Sequence, residues 1–183
     1  MTGAAPRPVV ALIDGRSGSG KTELAAAIVA GWPLAQLVRL DDLYPGWDGL
    51  EAGSEYVRDH ILASPSPRWQ RWDWSSNSYA EWHTLDVRRP ILIEGVGALS
   101  RANRSFATTA LWVELDDETR KRRALERDGE SFIPHWERWA AQEERFIARE
   151  DPAALADSVV DGRSVAEAAV VWRGILDPAR VGQ

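Results

Sequence analysis

Gly15-Arg16-Ser17-Gly18-Ser19-Gly20-Lys21-Thr22 follows the run Pro8 to Asp14 (PVVALID) and opens the segment Lys21 to Ala30 (KTELAAAIVA). The octapeptide fits G-x-x-x-x-G-K-[ST] without a mismatch. A strand before it and a helix after it are the context that gives this pattern meaning. The preceding run is short, apolar and rich in β-branched residues, as a strand buried on both faces is. Strong helix formers dominate after Lys21 until Gly31 and Pro33 stop them. Backbone N–H groups can curl around a polyphosphate only where side chains do not block the approach, which is the use of Gly15, Gly18 and Gly20. The helix N-terminus adds partial positive charge. Lys21 can reach the outer phosphates, and the Thr22 hydroxyl can ligate Mg²⁺.

Outward from this loop, Gln36 to Asp41 (QLVRLD), Pro90 to Glu94 (PILIE), Leu111 to Leu115 (LWVEL) and Ser158 to Val160 read as further strands. Helices are expected around Ser54 to Ala63, between the second and third of these strands, over Glu118 to Arg127, over Phe132 to Arg149, and from Ser164 to about Ile175. Leu43 to Gly53 reads as a loop. Ser64 to Arg89 reads as an irregular insertion with at most one short strand. Strands separated by helices, with no two-residue hairpin turns, predict an α/β chain with a parallel sheet and helices on both faces, and the Gly15 to Thr22 motif makes the expected form a three-layer P-loop NTPase fold. At 183 residues one domain is expected, 1–183, with a Trp-rich insertion around 64–89 and a short arginine-bearing lid around 118–131.

Composition narrows the function classes. Cysteine is absent, which removes disulfide frameworks, thiolate nucleophiles and Cys-based zinc sites. The balance of 22 basic against 28 acidic residues, a formal charge of -6, has the wrong sign for general nucleic-acid binding. No run approaches the ~20 apolar residues of a membrane span, and Met1 to Pro8 lacks the apolar centre of a signal peptide, so a cytoplasmic protein is expected. Lys21 and Lys121 are the only lysines, and 10 Trp is several times the usual share.

Ligands of open α/β sheets sit beyond the carboxyl ends of the strands, which puts Asp41, Asp42, Glu94, Asp116 and Asp117 near one edge. Glu94, followed by Gly95, is placed to hold Mg²⁺ directly or through water. Asp41 is placed to take the proton of a hydroxyl approaching the terminal phosphate. Arg120, Arg123 and Arg127, at i, i+3 and i+7, share a helical face suited to phosphate, and Asp128-Gly129 can hinge a lid. Trp69, Trp72, Trp74 and Trp82 could stack on a planar substrate, whereas Trp136 and Trp139 read as core. His60, His83 and His135 have no metal-ligand spacing.

Together these residues resemble the uridine kinase-like branch of small P-loop kinases, which also includes pantothenate kinase, over residues 8–163. Asp41-Asp42-Leu43-Tyr44 resembles its D-x-[FY]-Y element. Trp72-Asp73-Trp74 resembles an aromatic-Asp-aromatic element of the nucleoside-binding region. Ile93-Glu94-Gly95 resembles its strand-ending Glu-Gly. Glu118-Thr119-Arg120 with Arg123, Arg127 and Asp128 resembles its lid helix, and Ala156 to Val160 its last strand near the adenine site. The chain departs from the family in its shorter lid, Gly129-Glu130-Ser131-Phe132, and in lacking a base-contacting His around Asn77.

The resemblance implies an ATP- and Mg²⁺-dependent kinase acting on a hydroxyl of a small metabolite, a nucleoside above all. It assigns catalysis to Lys21, Asp41, Arg123 and Arg127, ATP binding to Gly15 through Thr22, Mg²⁺ to Thr22 and Glu94, and substrate contacts to Tyr44, Trp72, Asp73, Asn77 and Arg120. The expected partner is that small molecule, with neither nucleic acid nor membrane, and further copies of the chain left open. Two alternatives remain: a nucleoside-monophosphate kinase using Arg58, Arg68, Arg71, Arg88 and Arg89 for a second phosphate, and a regulatory nucleotide-dependent ATPase. A GTPase switch is disfavoured because neither Asn77 nor Asn103 is followed by Lys.

Overall fold

The computed structural model describes residues 8–176. The segment read for a leader, Met1 to Pro8, lies outside them except for Pro8. Five strands form a parallel sheet: β1 (Val10–Asp14), β2 (Gln36–Arg39), β5 (Ile91–Glu94), β6 (Thr109–Glu114) and β7 (Ser158–Asp161), in the order β2-β5-β1-β6-β7. The register sets Ile13 opposite Glu94 and Leu111, and Arg39 opposite Glu94. Three strands therefore deliver their last residues to one edge.

The period of two along each strand divides the core between the faces of the sheet. Leu12, Val38, Ile91, Ile93 and Ala110 point to one side, where α2 (Leu50–Tyr56), α4 (Asp117–Asp128) and α5 (Trp136–Glu150) supply Leu50, Ala124, Trp139 and Phe146. Ala11, Ile13, Leu92, Leu111 and Val113 point to the other, covered by Leu24 and Ile28 of α1 (Lys21–Ala30) and Ala169 and Leu176 of α7 (Val165–Leu176). Two short helices, α3 (Arg101–Arg104) and α6 (Pro152–Leu155), complete the layers. The expected three-layer arrangement is present.

Beyond shifted ends, such as the strand that stops at Arg39 and the helix that starts at Trp136, two stretches differ from the sequence expectation. The Trp-rich insertion is an antiparallel hairpin, β3 (Arg68–Asp73) with β4 (Ser78–Thr84), rather than an irregular segment with one strand. Its register shifts between Gln70 and Trp72, which breaks the alternation that would have announced it. Asn77 takes the left-handed conformation (φ 51°) and Asp73 accepts from the Ser75 N–H, closing the turn. The other difference is α2, which begins at Leu50 and runs on as a wider turn through Val57–Leu62. Gly53, which reads as a loop residue, lies inside this helix, where a Cβ would come within 2.6 Å of the Tyr44 ring, so glycine lets the helix pack against that ring.

Candidate active site

The loop from Gly15 to Gly20 wraps over the N-terminus of α1, closed by Ser19 N–H donating to the Arg16 carbonyl at 3.1 Å. Gly18 (φ +79°) is required twice over. The left-handed backbone favours glycine, and a Cβ would sit 2.0 Å from the Arg120 carbonyl, so α4 leans directly on the loop. Among the described residues, the Ser19 hydroxyl is buried without a hydrogen-bond partner.

Two clefts of about 390 Å³ open beside this loop. The first is lined by Gly18, Gly20, Lys21, Arg123 and Arg127, with Gly162 and Arg163 beyond β7. Arg123 donates to the Gly162 carbonyl at 3.0 Å, bridging α4 to the end of that strand. The second is lined by Arg39, Asp41, Tyr44, Trp47, Trp74, Phe132 and Trp139, together with Asp128 and Ser131. Both include Thr22, Glu23 and Arg127, so the clefts adjoin there.

Behind Thr22, which lines both clefts, Glu94 is buried and accepts from the Thr22 hydroxyl at 3.2 Å and from Arg39 Nε at 3.2 Å. Burial pushes its carboxyl up, against the positive charges of Lys21 and Arg39. A buried carboxylate beside a hydroxyl at a phosphate loop is a hard-oxygen donor pair. That suits Mg²⁺, which binds through one or two protein oxygens and keeps phosphate and water as its remaining ligands. The residues present therefore fit the metal. Among the described residues no group of three or more His, Cys, Asp or Glu side chains is placed to hold a metal ion, here or elsewhere.

Asp41 lines the second cleft, 3.7 Å from Arg39, while its carbonyl accepts from Trp74 Nε1 at 2.8 Å. Asp42 does not line it, and burial raises its carboxyl. Tyr44 forms wall rather than contact: it is buried, its hydroxyl donates to the Val96 carbonyl at 2.7 Å, and its ring meets Trp139 edge-on at 4.8 Å.

Several expected site residues lie elsewhere. Arg120 is turned under the loop, its guanidinium paired with Asp117 at 2.7 Å and Glu143 at 3.6 Å and facing the Trp136 ring; it lines neither cleft. A helical face is wider than one cleft, and the first arginine of the three falls beneath the loop. Asp73 is held by Ser75 and Ser76, whose hydrogen bonds bring its carboxyl down to about 2. Trp72 is buried edge-on to Tyr79, and Asn77 sits at the hairpin turn; neither lines either of these two clefts. The side chains of Arg16 and Ser17 point to Glu143 of α5.

Sequence reasoning missed Arg39, Trp47, Phe132 and Glu143. Trp47 stacks on His135 at 4.3 Å and on Phe132 at 5.4 Å, and tilts against Trp74 at 4.7 Å, so the hairpin and the chain before α5 build one aromatic wall. Glu143 had a signal. It occupies a position of the buried stripe Trp136, Trp139, Glu143, Phe146, where helical spacing calls for an apolar residue.

No family model matches the chain, and no curated protein matches it in sequence. Solved structures do match. A possible uridine kinase from Bacillus stearothermophilus is 20% identical over 87% of this chain and 92% of that one, with a TM-score of 0.62. A gluconokinase from Sinorhizobium meliloti 1021 is 16% identical, covering 97% and 98%, with a TM-score of 0.56. A shikimate kinase from Acinetobacter baumannii is 14% identical, covering 94% of each, with a TM-score of 0.56. The chain shares its three-layer α/β fold with these solved kinase structures. No helix among the described residues is long and apolar enough to cross a membrane.

Proposed function

We propose that the protein is a kinase that uses ATP and Mg²⁺ to phosphorylate a hydroxyl of a small, uncharged metabolite of nucleoside type. The observation that carries this is the meeting of two clefts at Thr22, Glu23 and Arg127. A phosphate loop with an aromatic-walled cavity beside it, and a carboxylate in that cavity, has a place for a donor and a place for an acceptor. A regulatory ATPase needs only the first.

In this assignment Lys21, Arg123 and Arg127 oppose the charge that phosphoryl transfer spreads over the equatorial oxygens. Thr22 and Glu94 would hold Mg²⁺, which when bound neutralises phosphate charge. Asp41 accepts the proton of the acceptor hydroxyl, and Trp47 and Trp74 offer flat faces to a planar or ring-shaped acceptor. ATP sits along the first cleft, towards Gly162 and Arg163.

The acceptor's charge follows from how the cations are engaged. Arg39 faces Glu94 and Asp41, and Arg127 is paired bidentately with Asp128. None of the arginines that would serve a monophosphate lines either cleft: Arg58 pairs with Asp59, Arg71 with Glu81 and Arg88 with Asp86, Arg89 donates to the Leu34 carbonyl, and Arg68 lies over the Trp82 ring. A phosphate or carboxylate on the acceptor would meet only two cations in the second cleft, Arg39, held by Glu94 and Asp41, and Arg127, assigned above to the transferring phosphoryl group. That weighs against nucleoside monophosphates, gluconate and shikimate.

The deciding experiment is ADP release from Mg-ATP against nucleosides, nucleoside monophosphates, pantothenate, gluconate, shikimate and neutral sugars. Turnover with nucleosides is expected. Turnover confined to the anionic acceptors, or independent of any acceptor, would overturn the assignment.

A further inference from the structure

Glu143 is a fully buried carboxylate on α5, and among the described residues its side-chain hydrogen bonds and ion pairs go to Arg16 and Ser17 of the phosphate loop and to Arg120 of α4. Its Oε1 accepts from Ser17 N–H at 2.9 Å and from the Ser17 hydroxyl at 2.6 Å. Its Oε2 accepts from Arg16 Nε at 3.1 Å and lies 3.6 Å from Arg120. A buried anion this close to a phosphate site costs binding energy unless it is neutralised. Here two guanidiniums flank it, and the exposed Asp117 joins both of them from outside. The same carboxylate consumes the Ser17 N–H, a donor that a phosphate could otherwise use.

We infer that Glu143 is a positioning residue for the nucleotide: it tethers the crown of the phosphate loop at Arg16 and Ser17 to α5 and so holds the loop open in its binding shape. This rests on the loop being the nucleotide site. The loop carries three glycines with positive φ, Gly15, Gly18 and Gly20, and such a backbone has many conformations to lose on binding. A tether that fixes the loop beforehand lowers that cost. It also sets the direction in which the remaining N–H groups point. The tether and the acceptor wall share one helix, since Trp139 lines the second cleft and Gln142 donates to the Trp47 carbonyl at 2.7 Å.

The test is Mg-ADP affinity by calorimetry on the purified full chain, well below its melting temperature, for wild type, Glu143→Gln, Ser17→Ala and Glu144→Gln. Gln keeps the shape and can still accept from Ser17, but it turns an amide toward Arg16 and Arg120. Charge-assisted hydrogen bonds of this kind are worth enough that Glu143→Gln should weaken Mg-ADP binding about tenfold or more. Ser17→Ala removes only the hydroxyl arm and should cost about threefold. Glu144, exposed and 3.6 Å from Arg16, should be replaceable by Gln without loss.

In turnover, the Glu143→Gln defect should fall on KM for ATP and be overcome at saturating ATP. A purely structural role would lower the melting temperature and leave the affinity of the folded protein alone. Affinity unchanged or tightened in Glu143→Gln would overturn the inference. Should that variant not fold, unchanged affinity in Ser17→Ala would do the same. Wild-type protein that binds no Mg-ADP would instead overturn the nucleotide assignment itself.

Discussion

The Thr22 hydroxyl lies 3.2 Å from the Glu94 carboxylate, although 72 residues separate them. Parallel pairing of β1 with β5 brings this about, because the strand that ends in Glu94 stops beside the loop that ends in Thr22. Glu94→Gln keeps the shape and the bond from Thr22 but removes a hard anionic donor. The Mg²⁺ concentration that supports half-maximal ADP release should rise about tenfold or more. Apo stability should change by less than about 2 kcal/mol, since the lost pairing with Arg39 is offset by no longer burying a charge. An unaltered Mg²⁺ titration would leave Glu94 a strand-end carboxylate with no part in metal binding.

Lys21 is the only basic residue in the phosphate loop's helix, and its charge is felt by both Asp14 and Glu94, whose carboxyls it lowers. Lys21→Ala should abolish measurable turnover, a loss of about 10²- to 10³-fold or more, while the chain still folds. Without the lysine those two carboxyls rise further, so the variant should lose more stability at pH 8 than at pH 5. Calorimetric melting at both pH values checks this. Retained turnover would remove Lys21 from the site.

Much of this arrangement can be read from the sequence, and what cannot has physical reasons. PVVALID and PILIE are runs whose burial on both faces leaves an unmistakable apolar signature, and the glycine-rich loop between strand and helix is as local as a signal can be. The second cleft is different, because its wall comes from three separated segments. Trp47, Trp74 and Phe132 acquire a common purpose only when the hairpin and α5 pack together. Arg120 shows the limit of periodicity. Spacing places it with Arg123 and Arg127, yet where a helix face divides between a loop and a cleft depends on how α4 meets Gly18.

Asp14 was invisible as more than the end of a strand. Its carboxylate accepts from the N–H groups of Gly15, Gly97 and Leu99, tying the loop after β5 to the start of the phosphate loop. Burial nevertheless pushes its pKa from 3.8 to about 7, against those bonds and Lys21. Between about pH 4 and about pH 7 the folded chain keeps a proton that the unfolded chain has released. The contribution of Asp14 to stability is therefore fully present at low pH and is lost as the pH rises through this window, by up to about 1.4 kcal/mol per pH unit, before levelling off above it. In urea unfolding, the stability of wild type minus that of Asp14→Asn should decline with pH across that range. A constant difference would mean that Asp14 is ionised throughout.

Asp41 presents its carboxylate to the second cleft while its backbone is pinned by Trp74, so the side chain can be altered without moving the chain. Asp41→Asn keeps the shape and removes the proton acceptor. General-base contributions run about 10²- to 10⁴-fold, and a loose, metaphosphate-like transition state asks little of the base, which favours the low end. The expected result is a kcat lowered about 100-fold with Mg-ADP affinity nearly intact. The competing account is that Asp41 serves only to balance Arg39, 3.7 Å away, and to order the Tyr44-Pro45-Gly46 turn. That account predicts a lower melting temperature and a raised acceptor KM with kcat kept, because a displaced wall weakens binding without touching the transfer step. Measuring kcat, acceptor KM and melting temperature on the one variant separates the two. A kcat within about twofold of wild type would place Asp41 outside catalysis, since RT ln 2 is only ~0.4 kcal/mol of barrier.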